Sequence, residues 1–271
     1  MNKFLNNSFL FLCFFIAFIL FFKFNLNTEN VYKPPIKMEG LEELKDTSSA
    51  EEVLVKVNRR LSHIKCLSAK DVKIYTKRLA ASGEIHYDGV NLRLIVNSFL
   101  GKEIDIGSNS SIFWFWSRRI SPQALYYSRH EDIYKTSLRP MFNRDWLLDC
   151  FILSRFEKYE GLTFFGSKDS LLVKQLKKVS ETEYAYLVTV IDLSNYTISY
   201  KCICDTQDYV MAYVRYSNFD KDLIPRTIDV HWCEENISMK WIIKEVQING
   251  LINDSLWTPP RYEPRIDMSL N

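Results

Sequence analysis

Side chains that could carry out acid-base or metal chemistry are scattered along the sequence. The four histidines, His63, His86, His130 and His231, lie in separate segments, so a metal site would need the fold to gather them. Residues 128–132 (SRHED) combine a histidine with two acids, but no second histidine follows at the spacing of a zinc-binding helix. We interpret this run as a hairpin end or a structural ion-pair cluster. The sequence predicts no catalytic site and no metal site.

The cysteines do not predict a disulfide framework. Five of the six cysteines follow the N-terminal region, and an odd number leaves at least one thiol unpaired after export. Cys202 and Cys204 share one side of a predicted strand, at a spacing too long for an easy bridge. Cys233 would lie two strands away, at roughly 9 to 10 Å in a simple meander. We therefore expect buried free thiols.

Composition limits the classes of partner and cofactor. The chain of 271 residues has 35 Lys and Arg against 33 Asp and Glu, so it lacks the basic surplus of a nucleic-acid-binding protein. The eight glycines are scattered and form no phosphate-binding loop, and we expect no cofactor. The 18 Phe, 15 Tyr and 6 Trp, against only 8 Gly and 8 Pro, exclude a disordered or collagen-like chain. The sequence predicts a folded, non-enzymatic domain.

Residues 1–26 are predicted to be an export signal or membrane anchor. An apolar run at residues 9–22 is preceded by Lys3 and followed by Lys23. The run is shorter than the ~20 residues that cross a bilayer comfortably, yet no small-residue cleavage site follows it. Lipidation at Cys13 is the alternative, although a leucine precedes this cysteine. We predict an uncleaved anchor with the remainder exported.

The segments that follow are a linker, a domain and a tail. Residues 27–48 are Asn-rich and polar with a Pro pair, which is typical of a tether. The predicted domain spans residues 49–260, and residues 261–271 form a C-terminal tail. Ser48 or Ser49 can cap a first helix whose apolar residues recur at helical spacing.

After this helix the apolar period changes from helical to two, which indicates β-strands. One short helix, at residues 145–153 behind Asn143, interrupts the strands. Because strands and helices do not alternate, we expect an antiparallel sheet rather than a parallel one. The predicted strands are residues 72–77, 80–87, 92–98, 103–107, 112–117, 124–128, 171–177, 183–191, 197–204, 209–216, 225–232 and 239–247.

Residues 112–116 (IFWFW) are apolar at every position, so both faces of this strand must be buried. In a small antiparallel sheet one face is ordinarily polar. A sheet that curls around an internal hydrophobic space would explain the pattern, and so would ordinary packing of both faces against helices.

Several segments of the chain resemble the LolA/LolB-like superfamily of outer-membrane lipoprotein carriers and receptors. The resemblance extends over about residues 50–260 and consists of loose apolar patterns. The segments that carry it are residues 61–69, 92–96, 99–101, 103–106, 245–249 and 257–260.

The resemblance implies a mainly β fold, with a single curved antiparallel sheet of about eleven strands that forms a half-barrel covered by α-helices. Its apolar concavity would hold the acyl chains of lipoproteins or other lipids without performing chemistry. The predicted cavity residues are Leu94, Val96, Ile104, Ile106 and Trp114 or Trp116, with Trp146, Leu147 and Phe151 on the covering helix.

Phe99, Leu100 and Gly101 are predicted to form an exposed apolar hairpin tip that touches a membrane or the incoming lipid. LolB-like receptors carry a similar Leu-Gly at the corresponding protruding loop, where the leucine is thought to enter the membrane. The alternative is that this tip tucks under the Trp146 helix as part of the core.

Together these features predict a membrane-tethered lipid- or lipoprotein-binding protein of the cell envelope, with its domain in the periplasm or another extracytoplasmic space. Its expected partners are lipoprotein acyl chains or other lipids and a membrane, and no nucleic acid. The alternative is an envelope interaction or sensor domain that uses the same fold to bind a protein partner without transferring lipid.

Overall fold

The computed structural model describes residues 41–76, 80–136, 144–151, 155–156, 158–178, 183–233 and 236–270. The predicted anchor, Cys13 and most of the predicted linker lie outside these residues. Among the residues described, no helix is both long enough and apolar enough to span a membrane. The described chain is mainly β, which confirms the predicted fold class, but it has fifteen strands rather than about eleven, with two α-helices.

The described chain divides into two compact units. The first unit takes residues 65–144 and 241–270, and the second takes residues 41–64 and 145–240. The strands are β1 (Glu42–Glu43), β2 (Leu67–Tyr75), β3 (Ala80–Tyr87), β4 (Leu92–Ser98), β5 (Gly101–Ser108), β6 (Ile112–Ser117), β7 (Leu125–Arg129), β8 (Leu162–Gly166), β9 (Ser170–Lys178), β10 (Tyr184–Asp192), β11 (Thr197–Cys204), β12 (Val210–Phe219), β13 (Pro225–Trp232), β14 (Ile237–Ile248) and β15 (Arg265–Asp267).

In the first unit, strands β2 to β7 form an antiparallel meander in which each strand pairs with the next along the chain. Strand β14 is the neighbour of β2, and β15 pairs in parallel with β7. The described residues of this unit also form three short 3-10 helices, at His130–Lys135, Asp254–Trp257 and Met268–Leu270.

In the second unit the strand order is β1, β8, β9, β10, β11, β12, β13 and the start of β14. Helix α1 (Ser48–Ser62) is present as predicted, but its N-cap residue is Thr47 and not Ser48 or Ser49. Its buried residues Ala50, Leu54, Val57 and Leu61 follow helical spacing. Helix α2 (Arg144–Cys150) overlaps the predicted short helix at residues 145–150.

All twelve predicted strands are present, but three further strands were not predicted. Strands β1 and β15 have two and three residues, too few to show a period of two. Strand β1 falls in the predicted linker and β15 in the predicted tail, so the folded part extends beyond residues 49–260 at both ends. Strand β8 (LTFFG) lacks a clear alternation of apolar and polar residues.

Candidate functional site

Four of the predicted cavity residues share one face of the first unit. Leu94 lies opposite Ile106 and Val96 opposite Ile104, so the four buried side chains point to the same side of the sheet. One row through this face crosses strands β2 to β7 without a charged residue, and we call the surface it defines the apolar sheet face. The row consists of Ala69, Ile85, Leu94, Ile106, Phe115 and Tyr126.

Trp114 and Trp116 point to the other face, because they pair with Gly107 and Asp105. The prediction that one of these tryptophans lines the same surface as Leu94 is therefore wrong. The C-terminal segment covers them instead: the ring of Tyr262 stacks on Trp116 with centroids 4.2 Å apart and an interplanar angle of 13°. Strand β6 is apolar on both faces because its second face packs against the chain's own C-terminus.

Charged side chains that the sequence did not single out lie on the same face as the tryptophans. Arg93 donates from Nε and Nη2 to the two carboxylate oxygens of Asp105, at 3.0 and 2.9 Å. The Nη1 of Arg93 donates to the backbone oxygen of Leu256 at 2.8 Å, which joins the sheet to the C-terminal segment. This buried guanidinium therefore fixes the C-terminal segment on the sheet.

Glu103 is a second buried acid on this face. Its carboxylate accepts hydrogen bonds from Ser98 Oγ at 2.6 Å and from Arg119 Nε at 3.1 Å. Burial raises the pKa of Glu103, but these two bonds and the charges of Arg119 and Arg118 outweigh it and lower the pKa below its usual value. The hydrogen-bonded charges make this face a structural layer rather than an apolar binding surface.

The helix predicted to cover the cavity lies in the second unit. Trp146 and Phe151 are buried there, on and directly after α2, whereas the side chain of Leu147 lies outside the described part of the structure. Leu94, Val96, Ile104 and Ile106 belong to the first unit.

Helix α2 is fixed to strands β11 and β12 by polar contacts that the sequence analysis missed. Asp149 Oδ1 is 2.6 Å from Lys201 Nζ, and both side chains are buried. The Tyr216 hydroxyl donates to the Asp149 backbone oxygen. Burial raises the pKa of Tyr216 well above its usual value, so the phenol keeps the proton that it donates. The only signal in the sequence was a lysine inside a strand with no other charged residue, TISYKCIC.

The hairpin tip between β4 and β5 is exposed. Phe99 is 92% exposed and Leu100 is 55% exposed, so the alternative that this tip belongs to the core is wrong. Gly101 has a φ of +104°, which favours glycine. Arg118 Nη1 donates to the backbone oxygen of Leu100 at 2.6 Å, which holds the turn against the next hairpin.

Residues 128–132 form the structural ion-pair cluster that the sequence suggested. His130 Nε2 lies 2.7 Å from the backbone oxygen of Asn109. Glu131 pairs with Arg129 at 3.5 Å, and Asp132 pairs with Lys135 at 2.6 Å. Among the described residues, no three side chains of the metal-binding types converge.

Cys202 and Cys204 are closer together than ordinary strand spacing predicts. Their sulfurs are 3.5 Å apart and are not bridged. The register of β11 with β12 shifts between Ile203 and Cys204. The hydrogen bond with Cys204, together with burial, raises the pKa of Cys202 well above its usual value. These thiols belong to an apolar cluster with Tyr200 and Tyr213.

Comparisons with known proteins identify the fold. No family model matches the chain, and no curated protein matches its sequence. A domain assigned to outer membrane lipoprotein sorting, from Vibrio parahaemolyticus, matches with a TM-score of 0.52 at 10% identity, over 76% of this chain and 96% of that one. The chain has a LolA/LolB-like fold.

Two other solved structures are similar to this chain. A DUF1329 family protein from Desulfovibrio piger has a TM-score of 0.51 at 11% identity, over 78% of this chain and 97% of that one. A LolA superfamily protein from Nitrosomonas europaea has a TM-score of 0.46 at 10% identity, over 76% and 97%. At these identities the likeness extends to the fold alone.

Proposed function

We propose that this protein is an exported, membrane-tethered protein that binds the acyl chains of lipids or lipoproteins and catalyses no reaction. The observation that carries the proposal is the apolar sheet face, a row of six buried residues across six strands with no charge in it. A solved domain of the same fold is assigned to lipoprotein sorting, which supports an acyl chain as the ligand.

Burial alone would make such binding strong enough. Removing one CH₂ group from water contributes about 0.8 kcal/mol, so one long acyl chain gives on the order of 10 kcal/mol before the costs of ordering are subtracted. The apolar sheet face of strands β2 to β7 would offer the acyl chain aliphatic and aromatic side chains, with no charged group that must lose its hydration.

We also propose that the tip formed by Phe99, Leu100 and Gly101 contacts a membrane. Exposed apolar residues at a tight turn are unusual, because turns usually carry polar residues. Arg118 donates to the backbone oxygen of Leu100, so one cation lies beside the apolar pair, whereas the Lys102 ammonium pairs with Asp105 at 2.9 Å. This combination suits the boundary between anionic head groups and acyl chains.

The tether is the remaining part of the proposal. Residues 1–26 would hold the protein in the membrane of the cell envelope with the domain outside the cytoplasm. The intact mass of the membrane-extracted protein tests this, and we expect the full N-terminus. A mature N-terminus between residues 25 and 32, or a diacylated Cys13, would contradict it.

A second candidate function follows from the burial of the apolar sheet face by protein. Leu94, Val96, Ile104 and Ile106 are each at most 9% exposed. A domain whose sheet face is filled by its own side chains could serve as an envelope interaction or sensor module with the same fold, binding a protein partner and no lipid.

Native mass spectrometry of the full chain, released from detergent, separates the two candidates. We expect co-purified lipid, its removal by delipidation, and rebinding of an added phospholipid. Leu94→Asn should abolish rebinding because it places an amide on the apolar sheet face, whereas Ile95→Asn, the adjacent and half-buried residue on the other face, is the matched control. A folded protein that never carries lipid would favour the interaction module.

A further inference from the structure

Two thiols lie side by side at the end of strand β11 in the second unit. Cys202 and Cys204 are 4% and 2% exposed, and their sulfurs are 3.5 Å apart without a bond between them. Apolar and aromatic side chains surround the pair, and we call the group the thiol cluster. Its other buried members are Leu172, Val188, Tyr200 and Tyr213.

The hydroxyl of Tyr200 is a buried hydrogen-bond donor that faces the two thiols. Its oxygen interacts with the Cys202 thiol, but neither this contact nor any other in the described part of the chain has the geometry of a hydrogen bond. Burial raises the pKa of Tyr200 far above its usual value, and the two thiols raise it further. A buried donor without an acceptor is costly, and a neutral thiol is a weak acceptor. A thiolate would satisfy this hydroxyl.

The thiol cluster lies next to solvent-accessible chain. Strand β11 ends at Cys204, and residues 206–208 of the turn that follows are exposed. Three side chains that pack against the cluster are only partly buried, namely Tyr186, Val210 and Cys233. The sulfurs are therefore within reach of a small ion, although a larger ligand would not fit beside them.

The two sulfurs suit a soft metal ion that needs few ligands. Residues two apart on a strand are about 6.6 Å apart along the chain, close to the upper limit of about 6.8 Å between the Cα atoms of a disulfide. A bridging ion therefore fits the pair better than a direct bond. Zinc takes four ligands, and no three metal-binding side chains converge in the part of the chain that the structure describes. Thiolates favour Cu(I), for which two such ligands suffice.

We propose that Cys202 and Cys204 form a binding site for one Cu(I) ion, with the Tyr200 hydroxyl as the hydrogen-bond donor to a ligating sulfur. On binding, each thiol releases its proton to solvent, and the two thiolates bond to the ion, which leaves one net negative charge. The Tyr200 hydroxyl then has a charged acceptor, and such second contacts orient metal ligands. The guanidinium of Arg215, 5.8 Å from the ring centroid of Tyr213, is a cation beside the cluster. This site is independent of the proposed lipid binding.

Anaerobic competition for Cu(I) with the chelator bicinchoninate tests the site on the reduced full chain in detergent. We expect the chain to retain one Cu(I), and X-ray absorption should show two sulfur neighbours. Zn(II) at the same concentration should not be retained, because the site lacks four ligands. Cys202→Ser and Cys204→Ser should each abolish Cu(I) binding. Cys66→Ser is the matched control, since Cys66 belongs to the first unit and donates to the backbone oxygen of Gly250.

Tyr200→Phe separates the role of the hydroxyl from that of the ring. This variant keeps the ring that stacks on Tyr213 and removes only the oxygen. The affinity for Cu(I) should fall roughly tenfold or more, as it does when a group that contacts a metal ligand is lost. The thermal midpoint of the Cu(I)-free chain should not fall, because the hydroxyl makes no hydrogen bond there. Tyr186→Phe, at a partly buried tyrosine of the same cluster, should leave the affinity unchanged.

Four results would contradict the proposal. If the reduced, unmodified chain retains no Cu(I), or if either serine variant retains it, the site is wrong. Equal retention of Zn(II) would overturn the choice of ion. An unchanged Cu(I) affinity in Tyr200→Phe would overturn the role of the hydroxyl. If the serine variants fail to fold, X-ray absorption of the unmodified chain decides, because nitrogen or oxygen neighbours of the copper would refute a site made of two thiolates.

Discussion

Trp114 fills the space that a side chain at position 107 would need. Gly107 and Trp114 are directly opposed on β5 and β6, and a Cβ atom at Gly107 would overlap Cζ2 of the indole. Glycine inside a strand usually weakens the strand and often marks a close approach. Here it admits a tryptophan that is fully buried.

Gly107→Ala should therefore lower the free energy of unfolding by about 3 kcal/mol, because the methyl group overlaps the ring and the core must shift. Urea denaturation of the purified chain measures this. Trp114→Leu, which is itself destabilising, should recover part of the loss when combined with Gly107→Ala, because the two residues contact each other. Strictly additive effects would contradict this account.

Leu100→Glu should leave the thermal midpoint unchanged and reduce binding to anionic liposomes, because Leu100 is exposed and lies at the proposed membrane contact. Leu251→Glu is the matched control, since Leu251 is fully exposed elsewhere in the first unit. Liposome co-sedimentation should separate the two variants. If both variants bind the liposomes equally well, the proposal that the hairpin tip contacts a membrane is wrong.

Acidification should destabilise the first unit through His86. Burial lowers the pKa of His86 below its usual 6.5, although the adjacent Glu84 carboxylate opposes the shift. The unfolded chain then binds the proton more readily than the folded one, so stability is lost as the pH falls below 6.5 towards the folded pKa.

His86→Gln should reduce the fall in thermal midpoint between about pH 7.5 and about pH 5.5. The same substitution at the exposed His63 controls for the loss of an imidazole. An unchanged pH profile in His86→Gln would show that another group dominates.

The Asp149 and Lys201 pair should behave as a buried unit in stability measurements. Asp149→Leu or Lys201→Met alone should cost about 3 to 5 kcal/mol, because each leaves the other charge buried. The double variant should cost much less than the sum. Lys174→Met, whose partner Asp208 is half-exposed, should cost about 1 kcal/mol or less. Chemical denaturation of the unmodified chain, the two single variants and the double variant measures the coupling. If the loss of unfolding free energy in the double variant equals the sum of the two single losses, the coupling is refuted.

Strand existence could be predicted from the sequence because a period of two persists over five or more residues. The side on which a residue lies was harder to predict. Leu94 and Ile106 were correctly grouped, since both belong to long alternating strands. Trp114 was placed wrongly because residues 112–116 are apolar at every position, so their composition cannot tell the two faces apart. Only the pairing with β5 assigns each face.

Contacts between distant segments could not be predicted at all. Asp149 and Lys201 are 52 positions apart, and nothing in the sequence near either residue indicates that they form a pair. The stacking of Tyr262 on Trp116 could not be predicted either. Tyr262 belongs to the segment that was interpreted as a C-terminal tail, and it packs against the sheet. Such contacts depend on the strand order, which local patterns do not contain.

The hydrogen-bonded ladder ends in its two shortest strands, β1 with two residues and β15 with three. A long open edge is a template on which another chain can add a strand and begin to aggregate. These brief terminal strands leave few unpaired backbone groups at either end of the described ladder. Deleting β1 or β15 would expose a five-residue strand, β8 or β7, in its place. The short ends therefore protect the protein against edge-to-edge self-association at high concentration.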